Sequence, residues 1–332
     1  MTSSSPASLA FPNDYDLRPL GKAVPVTERV SRWSTDQGDV AVKRFTAADS
    51  LRGAREAELI AFLGSHRDDA YRVQSLIRTT TGKTSAEHDG QRILVTRWEA
   101  GTYRPYDTYS AAEWASLGRC LASLHARLDE VTTPSLDTLS QRVGRIDAEA
   151  ELFRLEQSGL FISEHVGMDS SSVTRYLTVC RDMFASCYAR AVEAFPLDDP
   201  ERPIHNDFNQ FNYLFHAGLP PLIIDWEASI GAPREFEVVR CLNHLPLKNA
   251  ALARSFLAGY LSLRPLHAER MRWAVDVSCV MHATKHWVLE GWIAGRAGFE
   301  ERLRGAMEMV SMLARERNGL ADFYIQCVGD AS

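Results

Sequence analysis

Long hydrophobic runs are missing from this sequence. No uncharged apolar stretch approaches the roughly 20 residues that a membrane-spanning helix needs, so none is expected. Cysteine is sparse: six residues, at positions 120, 180, 187, 241, 279 and 327, with no Cys-x-x-Cys pair. That spacing supports neither a disulfide framework nor a zinc site. Basic charge is not in excess either. Lys and Arg number 37 against 43 Asp and Glu, a net charge of -6. This argues against a general electrostatic grip on nucleic acid or an anionic membrane. The opening residues, Met1 to Ser8, carry neither the basic region nor the apolar core of a secretory leader, and internal repeats are lacking. What is present is ordinary globular composition, 45% hydrophobic and 24% charged. A chain of 332 residues exceeds what one core usually fills. The expectation is a reduced, cytoplasmic protein of two lobes with a flexible tail over 1–10.

The two halves differ in charge and in period. Up to Gly101 there are 14 basic and 13 acidic residues; beyond it there are 23 and 30, a net -7. An acidic second half can attract a cationic substrate, and solvated helix faces give the same count. Before Gly101 the pattern predicts strands. Thr27–Trp33 and Val40–Phe45 flank the turn Thr35–Gly38, while Tyr71–Thr79 and Arg92–Trp98 flank an exposed break over Thr81–Gly90. Between the two hairpins, Asp49–His66 has the apolar spacing of an amphipathic helix. After Gly101 the helical period takes over. Ser110-Ala-Ala-Glu113 is a capping box, and Trp114, Leu117, Leu121, Leu124 and Leu128 form one apolar stripe. Further helices are expected over Leu136–Gln157, Ser172–Ala194, Phe236–His244, Ala250–Ser262, Ala268–Ala294 and Glu300–Arg317.

An irregular insert, Pro203–Glu227, breaks this helical half, and it carries the chemistry. It reads His205-Asn-Asp207-Phe-Asn-Gln-Phe-Asn212, then Ile224-Asp225-Trp226-Glu227. Phosphoryl transfer from a nucleotide needs a carboxylate to orient the attacking hydroxyl and oxygen ligands to hold a metal on the phosphates. It also needs a lysine to neutralise the phosphate chain. Asp207 and Asn212 lie on one loop, and Asp225 follows a short apolar strand that can return it beside them.

With these residues the chain resembles the aminoglycoside phosphotransferase and choline kinase-like enzymes. The match is His205-x-Asp207-x-x-x-x-Asn212 followed by Ile224-Asp225-Trp226-Glu227. Three further segments agree in order: Val40-Ala-Val-Lys43, Arg55-Glu56-Ala-Glu58-Leu59, and Leu117-Gly-Arg-Cys-Leu-Ala-Ser-Leu-His125. The resemblance runs from about Leu20 to about Leu261. It implies an α+β, two-lobed protein-kinase-like fold. A small N-terminal antiparallel sheet with one helix, over 11–101, would bind nucleotide. A larger, mainly helical C-terminal lobe, over 102–332, would hold the catalytic loop and the acceptor site, with catalysis in the cleft between lobes.

The same resemblance implies the roles. Asp207 would be the catalytic carboxylate, with Asn212 and Asp225 as Mg2+ ligands. Lys43 would contact the phosphates of ATP or GTP, braced by Glu56, with Glu58 as the alternative partner. The acceptor would be a hydroxyl on an aminoglycoside, amino alcohol, homoserine-like amino acid or sugar, and Gly101–Thr108 would be the interlobe linker. The alternatives are a nucleotide-binding pseudokinase and a protein kinase. No Gly-x-Gly-x-x-Gly precedes Lys43, only Leu20-Gly-Lys-Ala-Val24, so the phosphate-covering loop has no marker. Asn206 stands where the aminoglycoside branch usually has glycine. Glu235 and Glu237 lie where an aspartate usually follows, and neither is assigned a role. His205 and His125 read as structural histidines. Glu227 can touch metal or substrate, or pair with an arginine. Trp273, Trp287 and Trp292 can box a cationic amine, and their helical spacing equally suits a core.

Overall fold

The computed structural model describes residues 10–66, 68–88, 90–101, 103–131, 136–165, 170–243 and 245–330. Up to residue 9 the expected tail lies outside the described residues, as does His244 at the expected end of one helix. In chain order, β1 (Val24–Pro25), β2 (Val30–Thr35) and β3 (Gly38–Phe45) precede α1 (Ser50–Gly64), and β4 (Arg72–Val73), β5 (Ala86–His88) and β6 (Gln91–Arg97) follow it. Next come α2 (Ala111–Leu128), α3 (Leu139–Gly144), α4 (Ala148–His165) and α5 (Ser170–Glu193). Four two-residue strands interrupt the helices: β7 (Pro203–Ile204), β8 (Tyr213–Leu214), β9 (Leu222–Ile223) and β10 (Ile230–Gly231). The chain ends with α6 (Arg234–Leu242), α7 (Leu245–Lys248), α8 (Ala250–Leu261), α9 (Met271–Ala283), α10 (His286–Ile293) and α11 (Phe299–Gly329). Among the described residues no helix is long and apolar enough to cross a membrane.

The chain packs as two compact units: Met1–Tyr109 with His205–Ser229, and Ser110–Ile204 with Ile230–Ser332. This differs from the expected division at 101/102, because the insert from His205 onward packs with the first unit. Strand pairing is the reason. Arg72 and Val73 of β4 pair in parallel with Leu222 and Ile223 of β9, which pairs in turn with β8. The insert thereby completes a three-stranded sheet that the N-terminal residues alone leave open.

The first unit's main sheet has the order β1-β2-β3-β6-β5. Its first hairpin forms as read from the sequence, with Val30 opposite Lys43 and Thr35 opposite Gly38. The second does not. β6 pairs with Ala86–His88, inside the break expected to be exposed, and Tyr71–Thr79 contributes only β4 and a lone bridge from Leu76 to Thr96. Backbone hydrogen bonds show how the edge of β6 is divided: Ile77 N–H donates to the Val95 carbonyl and Arg97 N–H to the Ser75 carbonyl, a short antiparallel contact about Leu76 and Thr96, while β5 takes the edge over Gln91–Ile93. One face of the sheet is closed by the N-terminal segment, where Tyr15, Leu17, Trp33, Val40, Val42 and Val95 form a buried cluster. The other face carries α1.

The second unit is helical except for the β7–β10 pair. α2 starts at the expected capping box: Glu113 N–H donates to Ser110 Oγ at 3.2 Å and Ser110 N–H to Glu113 Oε2 at 2.8 Å. Its stripe of Trp114, Leu117, Leu121, Leu124 and Leu128 is fully buried. The expected Leu136–Gln157 helix is two helices, because Asp147 accepts the Ala150 N–H at 3.0 Å and starts α4 afresh. The expected Ala268–Ala294 helix breaks where Thr284 Oγ1 donates back to the Val280 carbonyl. α11 runs past Arg317 because Leu320, Ala321, Tyr324 and Val328 continue its buried stripe.

α2 and α8 touch through glycine. A Cβ on Gly118 would stand 2.0 Å from the Phe256 carbonyl oxygen, and one on Gly259 would stand 2.1 Å from that of Ala115. Neither neighbour is a side chain that can turn aside. Gly118→Ala is therefore expected to destabilise the protein by about 2 kcal/mol, the usual scale of core overpacking, lowering the midpoint of thermal or denaturant unfolding. Gly159→Ala in α4 is the control, since its Cβ would meet nothing within 4 Å; it should be neutral or mildly stabilising. Equal midpoints for the two variants would refute the close-approach account.

Candidate active site

Strand alternation on β3 sorts its side chains between the two faces of the sheet. Val40 and Val42 point into the N-terminal core, leaving Ala41, Lys43 and Phe45 on the opposite face. From there Lys43 Nζ donates to Glu56 Oε2 of α1 at 2.9 Å and to Asp225 Oδ1 at 2.7 Å. Glu227 Oε2 lies 3.0 Å from the same ammonium. Three of the residues singled out in the sequence therefore meet at one point. Glu56 is the glutamate that pairs with Lys43, and Glu227 joins them.

The electrostatics of this cluster are lopsided. Burial by itself depresses a lysine's pKa, and Glu56, Asp225 and Glu227 overcome it, holding the Lys43 ammonium well above its ordinary value. Glu56, 1% exposed, is pushed up to about 7 by burial, with Lys43 opposing the rise and the two other carboxylates adding to it. Both Glu56 oxygens are engaged, Oε2 by Lys43 and Oε1 by the Trp226 N–H at 3.3 Å. Asp225 and Glu227 are more open, with side chains 41% and 26% exposed. Carboxylate oxygens of Glu56, Asp225 and Glu227 lie within 4.8 Å of one another, close enough to share a cation.

The residues of the 205–212 loop are positioned by side-chain amides of that loop. Asn212 Nδ2 donates to the Asp207 carbonyl at 2.8 Å and to Asp207 Oδ2 at 2.9 Å, and Asn209 Nδ2 donates to Asp207 Oδ1 at 2.8 Å. With its nitrogen so used, Asn212 has its amide oxygen for a second role. The buried His205 locks the loop to the strand before Asp225. Its Nε2–H donates to the Ile224 carbonyl at 2.9 Å, and its Nδ1 accepts the Asp207 N–H at 3.2 Å. That pattern requires the neutral ring, and burial lowers the His205 pKa accordingly. Ile224 N–H donates to the Asn212 carbonyl at 3.1 Å, which ties the two motifs together.

Two backbone positions explain residue choices. Asn206 has φ 63° and Asp225 has φ 65°, in the left-handed region that Gly, Asn and Asp tolerate best. Asn206 also donates through Nδ2 to the Ala228 carbonyl at 2.9 Å, a bond that glycine cannot make. Sequence reading missed Gln74, whose Oε1 accepts the Asp225 N–H at 3.3 Å. It missed Arg29 as well, 3.3 Å from Glu227. Neither lies in a recognisable motif, so no sequence signal marks them.

The other candidates fall in the second unit. His125 is fully buried: Nε2–H donates to Glu237 Oε2 and Nδ1 accepts from the Tyr260 hydroxyl, both at 2.7 Å. Burial, then Arg234 and Arg264, keep it neutral. Glu235 accepts the His267 N–H at 3.0 Å. Trp273 is core, donating Nε1–H to the Ala191 carbonyl at 3.0 Å. Trp287 is half exposed, with its ring edge-on to Phe299 and beside the Arg302 guanidinium.

Glu56 gives the site a pH signature. Between the ordinary glutamate value of 4.5 and about 7, the folded protein holds a proton on Glu56 that the unfolded chain has released. That contribution is complete below 4.5 and is lost as pH rises through 7. Glu56→Gln should therefore flatten the fall in stability between pH 5 and pH 7.5. Denaturation midpoints of both proteins at the two pH values measure it, and identical slopes would contradict the burial-driven shift.

Comparison with known proteins identifies the fold and the family. Residues 26–273 match the phosphotransferase enzyme family. None of the curated proteins matches the sequence. Among solved structures, an aminoglycoside phosphotransferase from Alicyclobacillus acidocaldarius is similar at 16% identity and a TM-score of 0.59, covering 99% of both chains. Amicoumacin kinase, solved with AMP-PNP and Ca2+, is similar at 13% identity and a TM-score of 0.59, covering 92% of this chain and 88% of its own. A microcompartment-associated aminopropanol kinase is similar at 17% identity and a TM-score of 0.56, covering 93% and 96%. The fold is the one expected, α+β and kinase-like, and a match over most of the chain decides the family: this protein belongs to the phosphotransferase enzyme family, whose acceptor is an alcohol group.

Proposed function

We propose that the protein is a magnesium-dependent kinase that transfers the γ-phosphate of ATP or GTP to a hydroxyl of a small molecule. The observation that carries this reading is the junction of Lys43 with Glu56 and Asp225 at 2.9 and 2.7 Å, in the same unit as the Asp207–Asn212 loop. The neighbours whose names include AMP-PNP and aminopropanol support a nucleotide donor and a small hydroxyl acceptor. Acceptor classes consistent with the family are amino-sugar antibiotics, amino alcohols, homoserine-like amino acids and sugars.

In this reading Asp207 orients the acceptor hydroxyl and takes its proton at a carboxylate oxygen. The amides of Asn209 and Asn212 hold that carboxylate in place. Lys43 contacts the phosphate chain, and Glu56, with both oxygens occupied, keeps the ammonium oriented. The donor set of Asp225, Glu227 and the Asn212 amide oxygen is all oxygen and partly open, which suits Mg2+ alongside phosphate. A cation bound there would neutralise charge on the transferring phosphoryl group. Glu56 fits that role poorly, because Lys43 and Trp226 already use its oxygens.

Asp207→Asn should separate chemistry from binding. Loss of a positioned general base lowers kcat by about 10²–10⁴, while the nucleotide Kd, governed by Lys43 and the oxygen ligands, should stay close to that of the parent. The assay is kcat with the best acceptor from a panel of alcohols, amino alcohols, sugars and aminoglycosides, beside calorimetric Kd. A kcat near the parent's would remove Asp207 from the chemistry. Asp225→Asn should instead abolish turnover and remove the magnesium-dependent part of nucleotide affinity. Titrations with and without magnesium read that out, and an unchanged magnesium effect would exclude Asp225 as a ligand.

A further inference from the structure

The turn between β1 and β2, over Val26–Arg29, stands beside the Lys43 cluster: Val30, which follows it, pairs with Lys43, and Arg29 reaches Glu227. Glycine-rich turns hold phosphate by presenting unpaired backbone N–H groups. This one cannot rely on that device. It contains no glycine and no residue of positive φ. Val26 and Thr27 N–H groups both donate to the Val30 carbonyl. Those of Arg29 and Val30 donate to Thr27 Oγ1, at 3.3 and 3.1 Å. The turn has tied up these amides itself.

What it presents instead is a guanidinium. Arg29 is fixed at its backbone by the Arg44 N–H, which donates to its carbonyl at 2.9 Å, and its neighbour Val30 stands opposite Lys43 in the sheet. The side chain reaches Glu227 at 3.3 Å and Asp49 at 3.4 Å, and remains 37% exposed. Bonds this long and this wet are worth little and exchange readily. Glu227 is shared between Arg29 and Lys43, so any cation drawing on Glu227 loosens Arg29. Around the site, Asp49, Glu56, Asp225 and Glu227 outnumber Lys43, Arg29 and Arg52, the last paired with Asp49 at 3.5 Å. A polyanionic phosphate chain entering here therefore needs every cation available.

We infer that Arg29 is the phosphate contact of this turn, exchanging Glu227 and Asp49 for β- and γ-phosphate oxygens of the bound nucleotide. The inference rests on the kinase reading proposed above and adds a binding residue to it. A forked guanidinium can take two phosphate oxygens at once, so one side chain replaces the amide cradle.

The test is calorimetric titration of ATP, ADP and AMP, each with magnesium, into the parent, Arg29→Ala, Arg29→Lys and Lys43→Ala. Loss of a charge-assisted contact should weaken ATP binding to Arg29→Ala roughly 10–100-fold, with a smaller loss for ADP and almost none for AMP. Arg29→Lys should recover part of the ATP affinity, since charge returns without the fork. An unchanged ATP affinity in Arg29→Ala, or an equal loss for ATP and AMP, would overturn the inference. The latter marks a residue that only shapes the turn. The two readings fail separately. A parent that binds no nucleotide, or binds it equally well as Lys43→Ala, overturns the kinase reading and this inference with it. ATP binding that depends on Lys43 and not on Arg29 overturns the inference alone.

Discussion

One ammonium organises the first unit. Lys43 lies on a strand, Glu56 on a helix, and Asp225 and Glu227 on an insert more than 150 residues further along the chain, and all three carboxylates converge on it. Removing one partner of a buried ion pair typically costs about 3–5 kcal/mol, because the other charge is left uncompensated. Glu56 is the group most exposed to that penalty, being the most deeply buried. Sheet, helix and insert are thereby held together by the same interaction that builds the site. The insert's packing with the N-terminal residues has the same origin. Strand pairing of β4 with β9 brings it there, and Lys43 fixes its far end.

Much of this was legible in the sequence, for physical reasons that can be named. Lys43, Glu56, Asp207, Asn212 and Asp225 stood out because phosphoryl transfer constrains residue type and spacing together, and that constraint survives in the linear order. Helix α2 was legible because its capping box and apolar stripe are local signals. The face of Lys43 was not, since alternation says which residues share a face and never which face meets α1. The partner of β6 was not legible, because Tyr71–Thr79 has strand composition throughout yet bridges β6 only at Leu76, the edge over Gln91–Ile93 going to Ala86–His88. Helix breaks at Asp147 and Thr284 were invisible because each is made by a side-chain bond to backbone that interrupts no hydrophobic pattern.

Arg29 and Gln74 show a different limit. Each acts through side-chain polar contacts, Arg29 on Glu227 and Asp49, and Gln74 on the Asp225 N–H. A lone arginine or glutamine in a sequence has many uses, and only the folded register selects one. Asn206 lies between these cases. Its place in the motif was legible, but the reason for it, a left-handed backbone with a carbonyl in reach of the side chain, needed the structure.

Two of the buried polar networks among the described residues separate structure from function. In the second unit, both His125 ring nitrogens are used, by Glu237 and Tyr260, and Asp129 gives one oxygen to Arg234 and the other to Arg264. Those groups are paired off, as a network that only holds helices together should be, since unpaired buried charge is costly. The Lys43 network is unbalanced by comparison: three carboxylates converge on one lysine, Arg29 reaches only Glu227 among them, two are partly open to solvent, and Glu56 is pushed up to about 7 by burial. Folding alone does not favour such an excess. It is what a site requires if its missing positive charge arrives with the ligand, and it places the capacity for that charge on Asp225 and Glu227, the carboxylates that Lys43 holds without burying.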